Sequence, residues 1–90
     1  MVTYEFDPAK IKVTERHSGV EYEFEIDVLD EEMRGRLKQL RLEVENNDDL
    51  TDVVFGTQPG NHYVVNVRTN YRVEFLLLMF KYELLVAVKR

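Results

Sequence analysis

The chain has 90 residues, a formal net charge of −5, 44% apolar and 32% charged residues, two prolines, four glycines and no cysteine. That length and balance suit one globular domain over residues 1–90, and they exclude a disordered chain and a large internal cavity. The missing cysteines exclude disulfides and thiolate metal sites, and the negative charge opposes non-specific attraction to nucleic acid or anionic lipid.

The first residues, Met1–Asp7, alternate in character and carry no basic region followed by an apolar run, so no signal peptide is expected. The longest apolar run, Phe75–Phe80, is flanked by Glu74, Lys81 and Glu83. A membrane span needs about 20 largely apolar residues, so none is expected. With no cysteine staples, these features predict a soluble, cytoplasmic, acidic protein with no membrane partner.

Val2, Tyr4 and Phe6 alternate and predict an N-terminal strand ended by Asp7-Pro8, because proline lacks the donor that a ladder needs. Val20, Tyr22, Phe24, Ile26 and Val28 alternate with Glu21, Glu23, Glu25 and Asp27, the period of a strand with one dry and one wet face. The preceding strand, from Lys10 to Arg16, joins it through Ser18-Gly19 read as a two-residue turn. That closure sets Ile11 against Ile26 and Val13 against Phe24. On the wet face it sets Lys10 against Asp27, Lys12 against Glu25 and Arg16 against Glu21, leaving Glu23 opposite Thr14.

Asp30 is an N-cap residue, and Glu31 and Glu32 suit the positive end of a helix dipole. Leu29, Met33, Leu37, Leu40 and Val44 then form one helical stripe. Whether the helix runs to Glu45 or gives way early to a strand over Arg41–Glu45 stays open. Asn46–Asp52 reads as a loop, Val53–Phe55 and Tyr63–Val67 as strands, and 56–61 as their link. A two-residue turn at Thr69-Asn70 would oppose Val67 to Arg72 and Val65 to Glu74, so Asn70 is instead read as the N-cap of a second helix reaching Lys81. Phe75–Phe80 is apolar all round, which predicts deep burial. Leu84–Val88 follows without glycine or proline, and its valines favour a last strand over a continued helix. The order β-β-β-α-β-β-α, with that final strand, predicts an α+β two-layer sandwich: an antiparallel sheet with two helices packed on one face.

Function is much less legible. Residues 21–32 hold seven acids and no base; the hairpin pairing makes most of them a solvated strand face and a helix start. Arg34, Arg36, Lys38 and Arg41 form a basic helix face, suited to an acidic protein surface. The acidic whole and the lack of a basic-aromatic signature argue against nucleic acid. Asp48, Asp49 and Asp52 lack calcium-loop spacing. His17 and His62 have no partner at metal-ligand spacing. Ser18, the single serine, sits in a tight turn with His17 pointing to the other face. Glu15 is the odd residue, at an inward position of its strand, and is read as a carboxylate reaching water at the edge of the core. Thr57, Gln58, Asn61 and His62 offer hydrogen bonds in a loop, where sites concentrate.

The expectation is therefore a non-catalytic protein-interaction or regulatory module, without cofactor or metal, whose partner is an acidic protein surface or a second copy. The alternatives are a small-ligand or enzymatic domain with a pocket by the 56–62 loop and, more weakly, a single-stranded nucleic-acid binder using residues 34–41.

Overall fold

The computed structural model describes residues 1–47, 52–56 and 60–90. Along the chain lie β1 (Thr3–Glu5), β2 (Ile11–Ser18), β3 (Glu21–Val28), α1 (Glu31–Glu45), β4 (Val53–Phe55), β5 (His62–Arg68), a 3₁₀ turn (Thr69–Tyr71), α2 (Arg72–Lys81) and β6 (Ala87–Lys89). Among the described residues there are two antiparallel sheets, a larger one in the order β2-β3-β5-β4 and a two-stranded β1–β6 sheet. The α+β sandwich expected from the sequence is the fold found, with the first and last strands split off as a second sheet.

The β2–β3 hairpin keeps its faces but not its expected register. Ile11 lies opposite Val28, Val13 opposite Ile26 and Arg16 opposite Glu23, a slide of two residues. The turn is Gly19-Val20, not Ser18-Gly19. Gly19 takes a positive φ of 59° as first central residue, where a type II′ turn wants glycine. Val20, expected on the dry face, is therefore 71% exposed at the turn. Side chains alternate with period two, so a two-residue slide keeps the residues that remain in the ladder on their expected faces.

α1 starts as expected: the Asp30 side chain accepts a hydrogen bond from the Met33 backbone N–H at 2.8 Å. It runs through Glu45, settling the open question of its end. Met33, Leu37, Leu40 and Val44 are buried, whereas Leu29 lies before the cap and is 54% exposed. Asn70 does not cap α2. It lies within the 3₁₀ turn, and α2 begins after Tyr71 without a side-chain cap.

The core lies between the larger sheet and the helices. Ile11, Phe24, Ile26, Val65 and Val67 meet Leu37, Leu40, Phe75, Leu76 and Met79, all with no exposed surface, and Phe24 packs on Phe75 at 5.1 Å between ring centroids. α2 is not buried all round. Phe75, Leu76 and Met79 face inward, but Val73, Leu77 and Phe80 are 41–51% exposed. A helix packed on one sheet is covered only on the side that faces it.

α2 ends without glycine. Glu83 adopts φ 59°; its N–H reaches the Phe80 carbonyl and the Leu84 N–H reaches the Met79 carbonyl, each at 2.9 Å. This is a Schellman closure, usually made with glycine at the left-handed position. Leu84 and Leu85 plug the core after it, so the last strand begins only at Ala87, later than the sequence suggests.

Gly35, in the middle of α1, is exposed, and a methyl group added there meets nothing within 4 Å. Gly35→Ala is expected to raise unfolding free energy by about 1 kcal/mol, the helix-propensity difference, as a higher urea midpoint at unchanged m-value.

Candidate functional site

Two inward-facing charges of opposite sign organise the turn end of the sandwich. Glu15 stands on β2 opposite Phe24, and Arg72 is the first residue of α2, on the same stripe as Phe75, Leu76 and Met79. Their side chains are 19% and 7% exposed. The guanidinium grips the carboxylate with two bonds, Nε to Oε2 at 2.9 Å and NH2 to Oε1 at 2.7 Å, and its NH1 donates to the Val2 carbonyl at 2.9 Å. The Tyr22 and Tyr4 rings flank it at 5.2 and 6.0 Å. Stacked on Tyr22 at 4.4 Å, His17 reaches Thr69 Oγ1 at 3.4 Å. A cation at a helix N-terminus opposes the macrodipole; the carboxylate of Glu15 offsets both that and the desolvation of the guanidinium.

The protonation states follow from this packing. Burial pushes the Glu15 carboxyl up, but hydrogen bonds from Arg72 and Tyr4 and the Arg72 charge outweigh it, leaving Glu15 below the usual carboxylate range. Burial, then the Glu15 charge and the hydrogen bond to it, hold the Tyr4 phenol well above its ordinary value. Neither group is poised near neutrality, as general acid–base work requires. The cluster is thus a lock joining β1, β2, β3 and α2. The reading of Glu15 as a carboxylate reaching water is corrected: it is satisfied by Arg72.

A second titratable group lies on the wet face of the sheet, at the opposite end from the turn. His62 Nδ1 contacts Asp27 Oδ1 at 2.6 Å, and Nε2 lies 3.9 Å from Glu25. The hydrogen bond to Asp27 raises the His62 pKa, with burial opposing and the charges of Asp27 and Glu25 adding. Its far nitrogen faces a carboxylate and not a hydroxyl, while Ser18 sits at the other end of the sheet opposite Glu21. His17 and His62 are likewise at opposite ends. Among the described residues no group of three histidine, cysteine, aspartate or glutamate side chains could hold a metal ion.

The basic residues of α1 are largely engaged within the chain. Arg34 pairs with Glu31, Arg36 with Glu32 and Glu83, and Arg41 with Glu45 while lying 5.7 Å over the Phe55 ring. Lys38 is exposed and makes no ion pair among the described residues. Arg34, Lys38 and Arg41 share one side of α1, whereas Arg36 turns toward Glu83. Thr57 and Gln58, like Asp48 and Asp49, lie outside the described residues. Asn61 is exposed and its carbonyl accepts from the Val28 N–H, and His62 contacts Asp27.

Open grooves mark the surface of the described residues. One of about 550 Å³ lies between the start of α1 and the end of α2, beside Met33, Arg36, Phe80, Glu83 and Val86. One of about 540 Å³ lies at the β2–β3 turn, beside His17, Val20, Asp52, Arg68 and Thr69. The third, about 400 Å³, is mostly apolar and runs between α2 and the β1–β6 sheet, lined by Val2, Val73, Leu77 and Val88. Sequence periodicity misses the exposed flank of α2 because the run is apolar on both sides; only the burial geometry separates Leu76 from Leu77. No helix among the described residues is long and apolar enough to cross a membrane.

Breaking the lock from one side is expected to cost about 3 kcal/mol, because the remaining charge stays buried and unpaired; Glu15→Leu with Arg72→Met together should cost much less than the two single changes added. Urea denaturation in a double-mutant cycle measures this. Because the folded Glu15 pKa is depressed, its contribution is complete above the ordinary carboxylate value of 4.5. It fades as pH falls through the folded value, so the stability gap between the native chain and Glu15→Gln should narrow in acid. For His62 the sign is opposite: its raised pKa adds stability at low pH that is lost as pH climbs through the folded value. An NMR titration should place His62 above an ordinary histidine, and Asp27→Asn should lower it.

Compared with known proteins, the chain matches no family model, no curated protein and no solved structure.

Proposed function

We propose that this domain is a non-catalytic protein-interaction module whose contact surface is the outward flank of α2. The observation that carries the reading is Val73, Leu77 and Phe80, half exposed along one side of a helix whose other side is fully buried. Val86, 58% exposed, borders the same end as Phe80. Contiguous apolar surface of this kind, rimmed by charge, marks contact sites on small domains. The titratable groups support a binding role over a catalytic one: Glu15 is locked by Arg72, and His62 is engaged by Asp27 on an open sheet face.

An acidic protein surface meeting Arg34, Lys38 and Arg41 is a second contact mode, favoured by Lys38, which has no ion pair among the described residues, and by the placement of the three on one side of α1. It is the weaker one, because each arginine must exchange an intramolecular carboxylate for the partner's and gains little from the swap. Nucleic acid faces the same obstacle along with the net negative charge.

A photo-crosslinker installed at Leu77 in the full chain, in its native lysate and in the pure protein, is expected to trap a protein. The same group at Lys12, on the wet sheet face, should trap none. Equal or absent trapping at both positions overturns the reading.

A further inference from the structure

We infer that the partner on the α2 flank is a second copy of this chain, docked antiparallel across a twofold axis near Leu77; the inference rests on the interaction-module reading and names its partner. Pattern, shape and charge each support it.

Val73, Leu77 and Phe80 follow one another at spacings of four and three, which aligns them on a single stripe with Leu77 at its middle. A twofold axis through that middle lays Leu77 on Leu77 of the copy and Phe80 on Val73 of the copy. The contact is isologous, so each interaction occurs twice.

Shape follows the same symmetry. The groove of about 400 Å³ opens beside Val73 and Leu77, with Val2 and Val88 as its far wall and Lys89 and Arg90 at its rim. Phe80 protrudes at the opposite end of the stripe, two helical turns away, 47% exposed. The antiparallel arrangement brings the Phe80 ring of one copy to the groove mouth of the other. An aromatic anchor entering an apolar pocket is the feature that dominates protein contacts.

The charges select the orientation. Glu74 and Lys81 are both exposed and lie on the same side of the stripe, three residues before and four residues after Leu77. In an antiparallel pair each side of a stripe meets the same side of the copy, so Glu74 faces Lys81 of the second copy, twice. A parallel pair would set each side of the stripe against the opposite side of the copy, so Glu74 and Lys81 would lose that complement. Lys81 already contacts Glu43 at 2.9 Å, but its ammonium has three donors and its side chain is 60% exposed, leaving room for a second carboxylate. The free edge of β2 behaves oppositely. Pairing it with its own copy about Thr14 would oppose Lys12 to Arg16, a like-charge contact that discourages edge-to-edge association.

Sedimentation equilibrium of the full chain from micromolar to millimolar concentration is expected to give twice the mass of the chain. Leu77→Asp, at an exposed position, should be monomeric with an unchanged circular dichroism spectrum. Glu74→Lys and Lys81→Glu should each weaken self-association at least tenfold. An equimolar mixture of those two variants should recover the dimer, since each then offers the charge its partner lacks. A native chain monomeric throughout, or a dimer indifferent to all three substitutions, overturns the inference. If the chain is monomeric yet the crosslinker at Leu77 traps a different protein, the interaction-module reading stands and only the second copy is removed as partner.

Discussion

Within this sandwich one buried charged pair connects elements that apolar packing alone would leave loosely related. Glu15 on β2 and Arg72 on α2 are 57 positions apart in sequence and face each other across the sheet–helix layer. An ion pair in such a place is not automatically a source of stability, since desolvation can equal the attraction. Its distinctive contribution is geometric. A planar guanidinium gripping both carboxylate oxygens, with a third bond to the Val2 carbonyl, fixes the rotation of α2 about its own axis as well as its position. Once that rotation is set, Phe75, Leu76 and Met79 must point inward, and Val73, Leu77 and Phe80 must point to the side. The surface offered for contact is thus a consequence of the buried pair.

The sequence made the larger architecture readable because strand and helix periods are strong signals wherever one face is wet. β3 and α1 are such elements, and Asp30 behaves as its chemistry predicts. The hairpin register was less determinate for a specific reason. Hydrophobic alternation rejects a slip of one residue but tolerates a slip of two, so the decision falls to the turn, where Gly19 serves as the first of two central residues rather than the second. α2 ends at Lys81, where the sequence reading placed its end, although glutamate occupies the left-handed position that glycine usually marks. Glu83 is held there by Arg36, which donates to its carbonyl and pairs with its carboxylate.

The central pair was visible only in part. Glu15 interrupts the inward run of β2 and Arg72 begins the inward stripe of α2, and each alone reads as a fault in an amphipathic pattern. Two faults of opposite sign are a signal that they correct one another, but no periodicity within a single element can say so, because the correction is tertiary. The exposed flank of α2 was unreadable for the converse reason: nothing in Val73, Leu77 or Phe80 distinguishes them by type from the residues that fill the core. The sheet that receives the helix decides which ones it covers.

The pairing of β1 with β6 places Thr3 beside Lys89. The two ends of the fold therefore leave from one spot, next to Val2 and Val88 at the rim of the apolar groove. A short tether between them would close the backbone into a ring with little distortion, and the chain could then be reopened at Gly19-Val20, whose exposed bend carries no core residue. In a longer polypeptide, segments on either side would depart together from that rim, the geometry that lets a domain be inserted into a host chain without stretching it.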